Sequence, residues 1–356
     1  MIEPLRTIMI GAGFIGRSHL QAAAGLDEIR YVGVVDSRAE ARCDVSRQFG
    51  MPCFASLEQA LDDLDAEAVD ICVPTYLHSP LIAEAAARGL HILCEKPLTL
   101  TLADAVDVRD LLARTGSRLM VAEVIRFWPE YAAAVELVRS GAMGSLRRVH
   151  LERLATSPPF NDWMIEPDLG GGAVVDLQVH DFSFLLQLAG PPISIAPLGT
   201  GSINDVSNIL TFASGLSASN RASFTMPTSY IFRSTFQLEL DGGVVSMDDW
   251  RPTGEKLMVF PRDGARVCPP VRQSNPFREE LSYFCRQIRS GQDFDLVPLE
   301  DSIISLQMCL ASRDVQRSGA ELILEPIGDG RRPAPAGSSA TPDDLQHSRN
   351  ASRCRH

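Results

Sequence analysis

The stretch Thr7-Ile8-Met9-Ile10-Gly11-Ala12-Gly13-Phe14-Ile15-Gly16 decides how the rest of the chain is interpreted. Its first four residues predict a buried β-strand, and its glycines have the spacing G-x-G-x-x-G. A helical pattern then runs to Leu26. In such a unit Gly11 permits a tight turn, Gly13 lets backbone N–H groups approach a pyrophosphate, and Gly16 allows the helix to pack closely on the strand. The stretch therefore predicts a dinucleotide-binding turn, with a glycine turn that holds no ligand as the alternative.

An acidic residue completes the dinucleotide-binding pattern. The next predicted strand, Tyr31–Val35, ends at Asp36, twenty positions after Gly16. A carboxylate there can accept hydrogen bonds from the adenosine ribose and repels a 2′-phosphate, which favours NAD as the cofactor. Arg38 is close enough to pair with a 2′-phosphate, so NADP stays open. The contacts expected around this turn are Gly11, Gly13, Phe14, Ile15, Gly16, Asp36 and Arg38.

The pattern of predicted elements divides the chain into three parts. Residues 1–123 alternate short apolar strands with amphipathic helices, which is typical of a doubly wound parallel sheet of the Rossmann kind. Residues 124–327 carry helices, one of them predicted over Ala173–Leu188, and several strands of period two, which predict an α+β domain with a mostly antiparallel sheet. Residues 328–356 are rich in Gly, Pro, Ser and Arg, and we expect them to be disordered. The fold class is therefore α/β, with a nucleotide domain, a substrate and oligomerisation domain, and a tail.

Composition narrows the class of protein. The 356 residues include 45 acidic and 33 basic side chains, a net charge of −12, which disfavours nucleic acid and anionic membranes as partners. No apolar run is long enough to span a membrane, and a strand begins almost at the first residue, so we expect a cytoplasmic protein. None of the eight cysteines has zinc-like spacing. We therefore expect reduced thiols and no metal site.

Lysine is scarce in this chain. Lys96 and Lys256 are the only two lysines among the 33 basic residues, so arginine is the default cation. A lysine in a pocket is then of interest for its compact amine, which arginine cannot replace. Lys96 follows a predicted strand at its carboxyl end, where ligands of open α/β sheets gather.

Two segments resemble the Gfo/Idh/MocA oxidoreductases, a family that includes inositol dehydrogenases and glucose–fructose oxidoreductases. They are Cys94-Glu95-Lys96-Pro97-Leu98 and the glycine-led segment 171–181, which contains the pattern D-x-x-x-H at Asp176 and His180. The segments Val73–His78 and Arg126–Pro129 add to the likeness, and together these motifs cover about residues 5–325 in the family's order. The resemblance implies an NAD(P)-dependent dehydrogenase whose active residues include Lys96, Asp176 and His180.

The residue types support the same trio independently. Asp176 and His180 are four positions apart on a predicted helix and so share one face. We expect the carboxylate to orient the imidazole and to raise its pKa into a range useful for proton transfer. Lys96 can hold the reacting oxygen and stabilise alkoxide character. The assignment is therefore His180 as proton acceptor, Lys96 as oxygen-holding cation and relay, and Asp176 as orienting group or hydroxyl ligand, although the family credits the proton to either Lys or His.

Other residues are candidates for secondary roles. We expect Glu95 to bond backbone and support the cofactor loop, while Thr75 and His78 border the nicotinamide in the family, with a helix-start role equally open for His78. Substrate contacts are expected from Lys96, Asp176 and His180 and from three further side chains, namely Arg126, Trp163 and Gln178. Trp163 and Gln178 could also simply pack. His19 could be structural or lie near the cofactor.

Three functions are compatible with these residues. The first is hydride transfer between nicotinamide and a carbinol of a sugar, inositol or related polyol. The second is a non-catalytic NAD(H)-binding sensor or regulatory protein on the same scaffold, and the third is an oxidoreductase of the glucose–fructose type that never releases its cofactor. The expected partners are a small-molecule substrate and further copies of the chain in a homo-dimer or homo-tetramer.

Overall fold

The structure is a computed structural model, and it describes residues 3–158 and 162–327. The described residues up to Glu325 belong to one compact unit. The tail predicted to be disordered, 328–356, lies outside the described residues. No helix in the described ranges is long and apolar enough to cross a membrane, and the seven cysteines in those ranges form no disulfide.

Six strands form the nucleotide-domain sheet. They are β1 (Leu5–Ile10), β2 (Ile29–Val35), β3 (Cys53–Phe54), β4 (Ala68–Ile71), β5 (His91–Glu95) and β6 (Leu119–Ala122). All pair in parallel in the order β3-β2-β1-β4-β5-β6. Nearly every residue of β4, β5 and β6 is buried, because helices cover both faces of such a sheet. The carboxyl ends of β1, β4, β5 and β6 consequently meet at one edge, which confirms the predicted Rossmann arrangement.

Five helices connect these strands. They are α1 (Phe14–Ala22), α2 (Ala39–Phe49), α3 (Leu57–Asp63), α4 (His78–Ala87) and α5 (Leu102–Thr115). Ser56 and Thr101 cap α3 and α5, since each hydroxyl accepts a hydrogen bond from the backbone N–H three residues on. The pair α2 and β3 is absent from the prediction. Helix α2 buries only Ala41 and Val45, and β3 has only two residues, so neither has a strong apolar period.

The second sheet has eight strands. They are β7 (Leu146–Thr156), β8 (Ser194–Pro197), β9 (Asp205–Thr211), β10 (Ser217–Met226), β11 (Arg233–Leu240), β12 (Gly243–Asp248), β13 (Leu257–Pro261) and β14 (Leu322–Ile323). Their order is β13-β12-β11-β7-β10-β9-β8-β14, and only β7 and β10 pair in parallel. The prediction of a mostly antiparallel sheet is confirmed. Along β11 and β12 buried residues alternate with more exposed ones, so one face of the sheet packs inward and the other lies outward.

The remaining helices are α6 (Pro129–Arg139), α7 (Ala173–Asp176), α8 (Gln178–Ala189), α9 (Pro276–Ser290) and α10 (Leu299–Ser318). Helix α9 returns to the nucleotide domain. Its residues Leu281, Phe284 and Cys285 are fully buried in one core with β1 and β2. The Arg278 guanidinium donates to carbonyls at the end of α1, including that of Gly25 at 2.7 Å. The two halves therefore share a core through α9, and the predicted boundary at residue 123 stays a prediction.

The glycines of the turn between β1 and α1 differ in the space around them. Gly11 has φ +102°, and a Cβ there would lie 2.3 Å from the Cys72 carbonyl oxygen. A Cβ on Gly16 would lie 2.0 Å from the Gly11 carbonyl oxygen. Gly13 has φ −74°, and a Cβ there would meet nothing within 4 Å. Gly11 and Gly16 are thus required by the fold itself, whereas Gly13 is not.

We predict that two matched substitutions in this turn differ in their effect on stability. Gly11→Ala should lower the free energy of unfolding by about 1–3 kcal/mol or more, because it adds both backbone strain and a clash. Gly13→Ala should leave the free energy of unfolding unchanged to within about 0.5 kcal/mol, because the backbone conformation is ordinary and the added methyl group meets open space. Thermal unfolding of the two variants checks this, and equal losses in Tm would contradict it.

Candidate active site

The amino end of α1 is open at the edge where β1 and β4 end. Gly13 is the N-cap of α1 and no side chain caps this end, while the neighbouring Phe14 is 81% exposed. Ile15 instead packs partly against the core. A helix N-terminus with free N–H groups and open space at its glycine is suited to bind a phosphate. The turn therefore fits the pyrophosphate of a dinucleotide.

Asp36 lies just beyond β2 and is bonded to the same turn. Its Oδ2 accepts a hydrogen bond from the Ala12 backbone N–H at 2.9 Å, and its Oδ1 accepts one from the Arg38 backbone N–H at 2.9 Å. The Arg38 side chain donates to both oxygens, at 3.1 and 3.0 Å. Burial opposes the charged form, but the bonds from Arg38 and Ala12 prevail and lower the pKa of Asp36. Asp36 is thus a fixed anion placed to read a ribose, and Arg38 is already paired with it.

Lys96 and Asp176 join the two halves of the chain. Lys96 follows β5, and Asp176 is the last residue of α7, eighty positions later. The Lys96 Nζ donates to Asp176 Oδ1 at 2.8 Å and to the Asp176 carbonyl oxygen at 3.1 Å. Their side chains are only 15% and 12% exposed. The structure therefore brings together two of the three residues predicted to be catalytic.

The glycines before α7 make this contact possible. Gly171 and Gly172 have φ of +78° and +74°, values that favour glycine. A Cβ on Gly172 would lie 2.7 Å from both the Ile203 carbonyl oxygen and Asn204 Oδ1. The chain can therefore enter α7 against this loop and deliver Asp176 to Lys96.

The helix that carries His180 and the partners of its ring differ from those predicted. The helix expected over Ala173–Leu188 is interrupted at Leu177, and Asp176 pairs with Lys96 rather than with the imidazole. The His180 Nδ1 is enclosed and has no hydrogen-bond partner among the described residues. Burial lowers the pKa of His180 well below its usual value, and the charges of Lys96 and Arg153 lower it further. The expectation that Asp176 orients His180 and raises its pKa is wrong, because the Asp176 carboxylate is bonded to the Lys96 ammonium instead.

A neutral His180 is still suited to proton chemistry. An uncharged imidazole can accept a proton, and the charge of Lys96 helps to keep the pKa of His180 low. On the other side, Arg153 is bound to Asp181 at 2.9 Å and to the Tyr131 hydroxyl at 3.3 Å. Asn220 donates to the second Asp181 oxygen at 2.8 Å. This buried polar cluster positions α8. The sequence feature that could have identified it is Arg153, an inward-facing arginine on β7.

The residues around the cofactor loop mainly bond to backbone. Glu95 Oε2 accepts the Lys96 backbone N–H at 3.2 Å, as expected for a residue that supports the loop. The His78 ring nitrogens lie 2.9 Å from the Pro97 carbonyl oxygen and 3.0 Å from that of Val73. Burial lowers the pKa of His78. The His78 ring joins two loops at the start of α4 and is not free to contact a nicotinamide. The prediction of His78 as a cofactor contact is therefore corrected. Thr75 is buried in the same turn.

His19 belongs to a buried polar group beneath this loop. Its Nδ1 lies 2.9 Å from Asp70 Oδ2, and its Nε2 lies 3.4 Å from Glu95 Oε1. The Tyr31 hydroxyl also donates to Asp70. Burial disfavours the imidazolium, but Asp70 and Cys72 outweigh it and raise the pKa of His19 well above its usual value. Of its two open interpretations, the structure supports the structural one, in which His19 is bonded to the buried Asp70.

Two side chains predicted to contact the substrate are instead bonded to other parts of the protein. Arg126 is buried, and its guanidinium donates to Ser183 Oγ at 2.8 Å, to the Leu296 carbonyl oxygen at 2.9 Å and to Asp301 at 2.8 Å. Gln178 is fully buried and bonds Asn220 and Ser312. Both predictions are corrected, since these side chains hold elements together. Trp163 is partly buried in the turn Asp162–Ile165, and its role as a substrate contact stays a prediction.

Comparison with known proteins agrees with this geometry. Residues 5–123 match the family model described as an oxidoreductase family with an NAD-binding Rossmann fold, and residues 131–246 match the GFO/IDH/MocA C-terminal domain. The chain is 30% identical to D-xylose 1-dehydrogenase (NADP(+)) 2 of Haloferax volcanii, covering 89% of this chain and 99% of that protein. It is 29% identical to inositol 2-dehydrogenase of Rhizobium meliloti, covering 80% and 89%.

A solved structure supports the fold. The aldose–aldose oxidoreductase of Caulobacter crescentus, complexed with glycerol, superimposes with a TM-score of 0.80 at 22% identity, covering 90% of this chain and 100% of that one. The match spans both sheets. With both domain models matched in order, the chain belongs to the Gfo/Idh/MocA family of NAD-binding oxidoreductases.

Proposed function

We propose that this oxidoreductase interconverts a secondary alcohol of a sugar, inositol or related polyol and the corresponding ketone. The observation that carries the proposal is the bond of 2.8 Å between Lys96 Nζ and Asp176 Oδ1, formed at the sheet edge that also bears the open turn. The names of the relatives, a xylose dehydrogenase and an inositol dehydrogenase, support this substrate class. The comparisons lend no support to the non-catalytic alternative.

The chain's own groups divide the work of the reaction. When bound, NAD supplies the acceptor for the hydride of the carbinol carbon. Asp176 keeps Lys96 oriented, and two of the three ammonium N–H groups are used in these bonds. The remaining one can hold the substrate oxygen and stabilise negative charge on it. His180 is neutral, and a neutral imidazole can take the hydroxyl proton.

We predict that Lys96→Ala separates turnover from cofactor binding. The variant should lose about 10²–10⁴ in kcat, because it removes the cation from the reacting oxygen. NADH affinity should change little, since the glycine turn and Asp36 stay intact. Steady-state assays with a polyol panel and NADH fluorescence titration measure the two quantities.

The second lysine of the chain provides the matched control. Lys256→Ala removes the same kind of side chain, but Lys256 lies on the second domain beside β13. This variant should therefore retain wild-type kcat. Near-normal turnover by Lys96→Ala would remove this residue from the mechanism. Binding of NADH by the wild type with no turnover on any polyol would instead favour the sensor function.

We further propose NAD rather than NADP as the preferred cofactor, because Asp36 is an anion and Arg38 is already paired with it. Asp36→Ala should weaken NAD more than NADP, since it removes a ribose acceptor and frees Arg38 to meet a 2′-phosphate. Dissociation constants for both nucleotides, measured with Arg38→Ala as the control, check this. Equal loss of both would show that Asp36 does not read the ribose.

We also infer a cytoplasmic homo-oligomer that assembles through the outward face of the eight-stranded sheet. This face carries exposed Ile209 on β9, Gln237 on β11 and His150 on β7. Light scattering should report a multiple of the 38.8 kDa chain mass. Ile209→Arg should dissociate it, whereas Ile231→Arg, exposed but outside the strands, should not. A monomeric wild type at micromolar concentration would contradict the inference.

A further inference from the structure

A cavity of about 240 Å³ is lined by residues that the active site does not use. Its walls come from the first turn of α6, from the residues around the start of β13 and from the segment 268–273, which leads into α9. Sites for drug-sized ligands occupy roughly 300–1,000 Å³, so this cavity suits a smaller molecule.

The carboxylate of Glu130 lines this cavity and has no partner. Glu130 is only 9% exposed, and its side chain forms no hydrogen bond or ion pair with any described residue. Its place in the first turn of α6 favours a negative charge but supplies no hydrogen-bond donor. A carboxylate withdrawn from solvent without a donor is costly, so the cavity is where a donor would be stabilising.

An unpartnered cation lines the same cavity. Lys256 is partly buried, and its Nζ forms no hydrogen bond or ion pair within the described part of the chain. The Asp249 carboxylate, on the same connection between β12 and β13, instead accepts the Ser234 backbone N–H at 3.0 Å. Glu130 and Lys256 therefore share the cavity without neutralising each other.

The rest of the lining is largely apolar. Leu257 is 2% exposed, and beside it the cavity meets Pro269, Pro270 and Val271. The two prolines have no backbone N–H to offer a ligand. This wall can bury an aliphatic group but cannot donate hydrogen bonds through these prolines. The cavity thus combines one anion, one cation and an apolar wall.

We propose that this cavity binds a free α-amino acid with an aliphatic side chain. Glu130 accepts hydrogen bonds from the α-ammonium group, and Lys256 donates to the α-carboxylate. The aliphatic side chain packs against Leu257 and the prolines. Each charge of the protein then meets its opposite, and the occupied cavity gains no net charge. Binding leaves the groups around Lys96 untouched, so Lys256 stays a valid control for turnover.

The two lysines of the chain permit a direct test of binding. Full-length protein labelled with 13Cε-lysine has two lysine signals, and Lys256→Arg assigns them. Titration with L-leucine should move the Lys256 signal to saturation with a Kd of about 1 mM, as expected for so few ligand atoms, while the Lys96 signal stays fixed. Isovalerate lacks the ammonium group and 3-methylbutylamine lacks the carboxylate, so each should bind about tenfold more weakly or worse.

Two substitutions on α6 provide a matched comparison. Glu130→Gln removes the acceptor charge and should weaken leucine binding by about 10- to 100-fold, which corresponds to loss of a hydrogen bond between charged groups. Glu136→Gln removes an exposed carboxylate from the same helix and should bind leucine like the wild type.

A cysteine provides the second reporter. The exposed Cys268 lines the cavity, whereas the exposed Cys43 lies on α2. Saturating leucine should slow alkylation of Cys268 by iodoacetamide several-fold and leave that of Cys43 unchanged, as measured by peptide mass spectrometry.

The proposal is overturned by a Lys256 signal that does not respond to leucine tenfold above the expected Kd, or by a shift of the Lys96 signal instead. Equal binding of isovalerate or 3-methylbutylamine overturns it as well, because a zwitterion would then not be required. These outcomes are measured on the wild type, so they decide the matter even if Glu130→Gln folds poorly. A folded Glu130→Gln variant with undiminished affinity has the same consequence.

Discussion

The bond between Lys96 and Asp176 is the interaction on which the site depends. It is the point where a loop of the parallel sheet meets a helix that packs on the second sheet. Both side chains are largely withdrawn from solvent, so each charge needs the other. Removal of either partner would leave an uncompensated charge and release the alignment of the two halves around the reacting position. Helix α9 also joins the two halves, through the core that it shares with β1 and β2.

The distribution of charge in the site follows from this pair. Asp176 is committed to Lys96, and Asp181 is committed to Arg153, so no carboxylate is left to support an imidazolium at His180. His180 therefore stays neutral between two cations. A neutral base near a cation suits an alcohol that is about to lose a proton, because the developing negative oxygen is stabilised where the proton is accepted. The same arrangement makes His180 a weak place to store that proton.

Much of the fold was predictable because it depends on local patterns. The glycine spacing, the strand ends and the period-two strands all predicted elements that the structure contains. Helix α2 escaped prediction because it is mostly exposed and has few apolar positions.

Side-chain partners were harder to predict, because they come from distant parts of the chain. Asp176 has His180 within one helical turn, yet it bonds to Lys96, eighty residues away. Arg126 finds its partners at Ser183 and Leu296, and Gln178 finds one at Ser312. Spacing alone identifies residues that could share a face, but burial and competing charges decide which of them pair.

Cofactor selection and folding of the turn are linked through one carboxylate. Asp36 accepts the Ala12 N–H inside the glycine turn, so the charge that can read a ribose also fixes the backbone that meets the pyrophosphate. The Arg38 guanidinium is paired with the same carboxylate, which neutralises a nearby cation suited to a 2′-phosphate. A change of preference toward NADP therefore requires loss of the Asp36 charge, and that loss also removes a bond that shapes the turn. Selectivity in this chain thus depends on a group that the local fold itself needs, which limits how freely it can change.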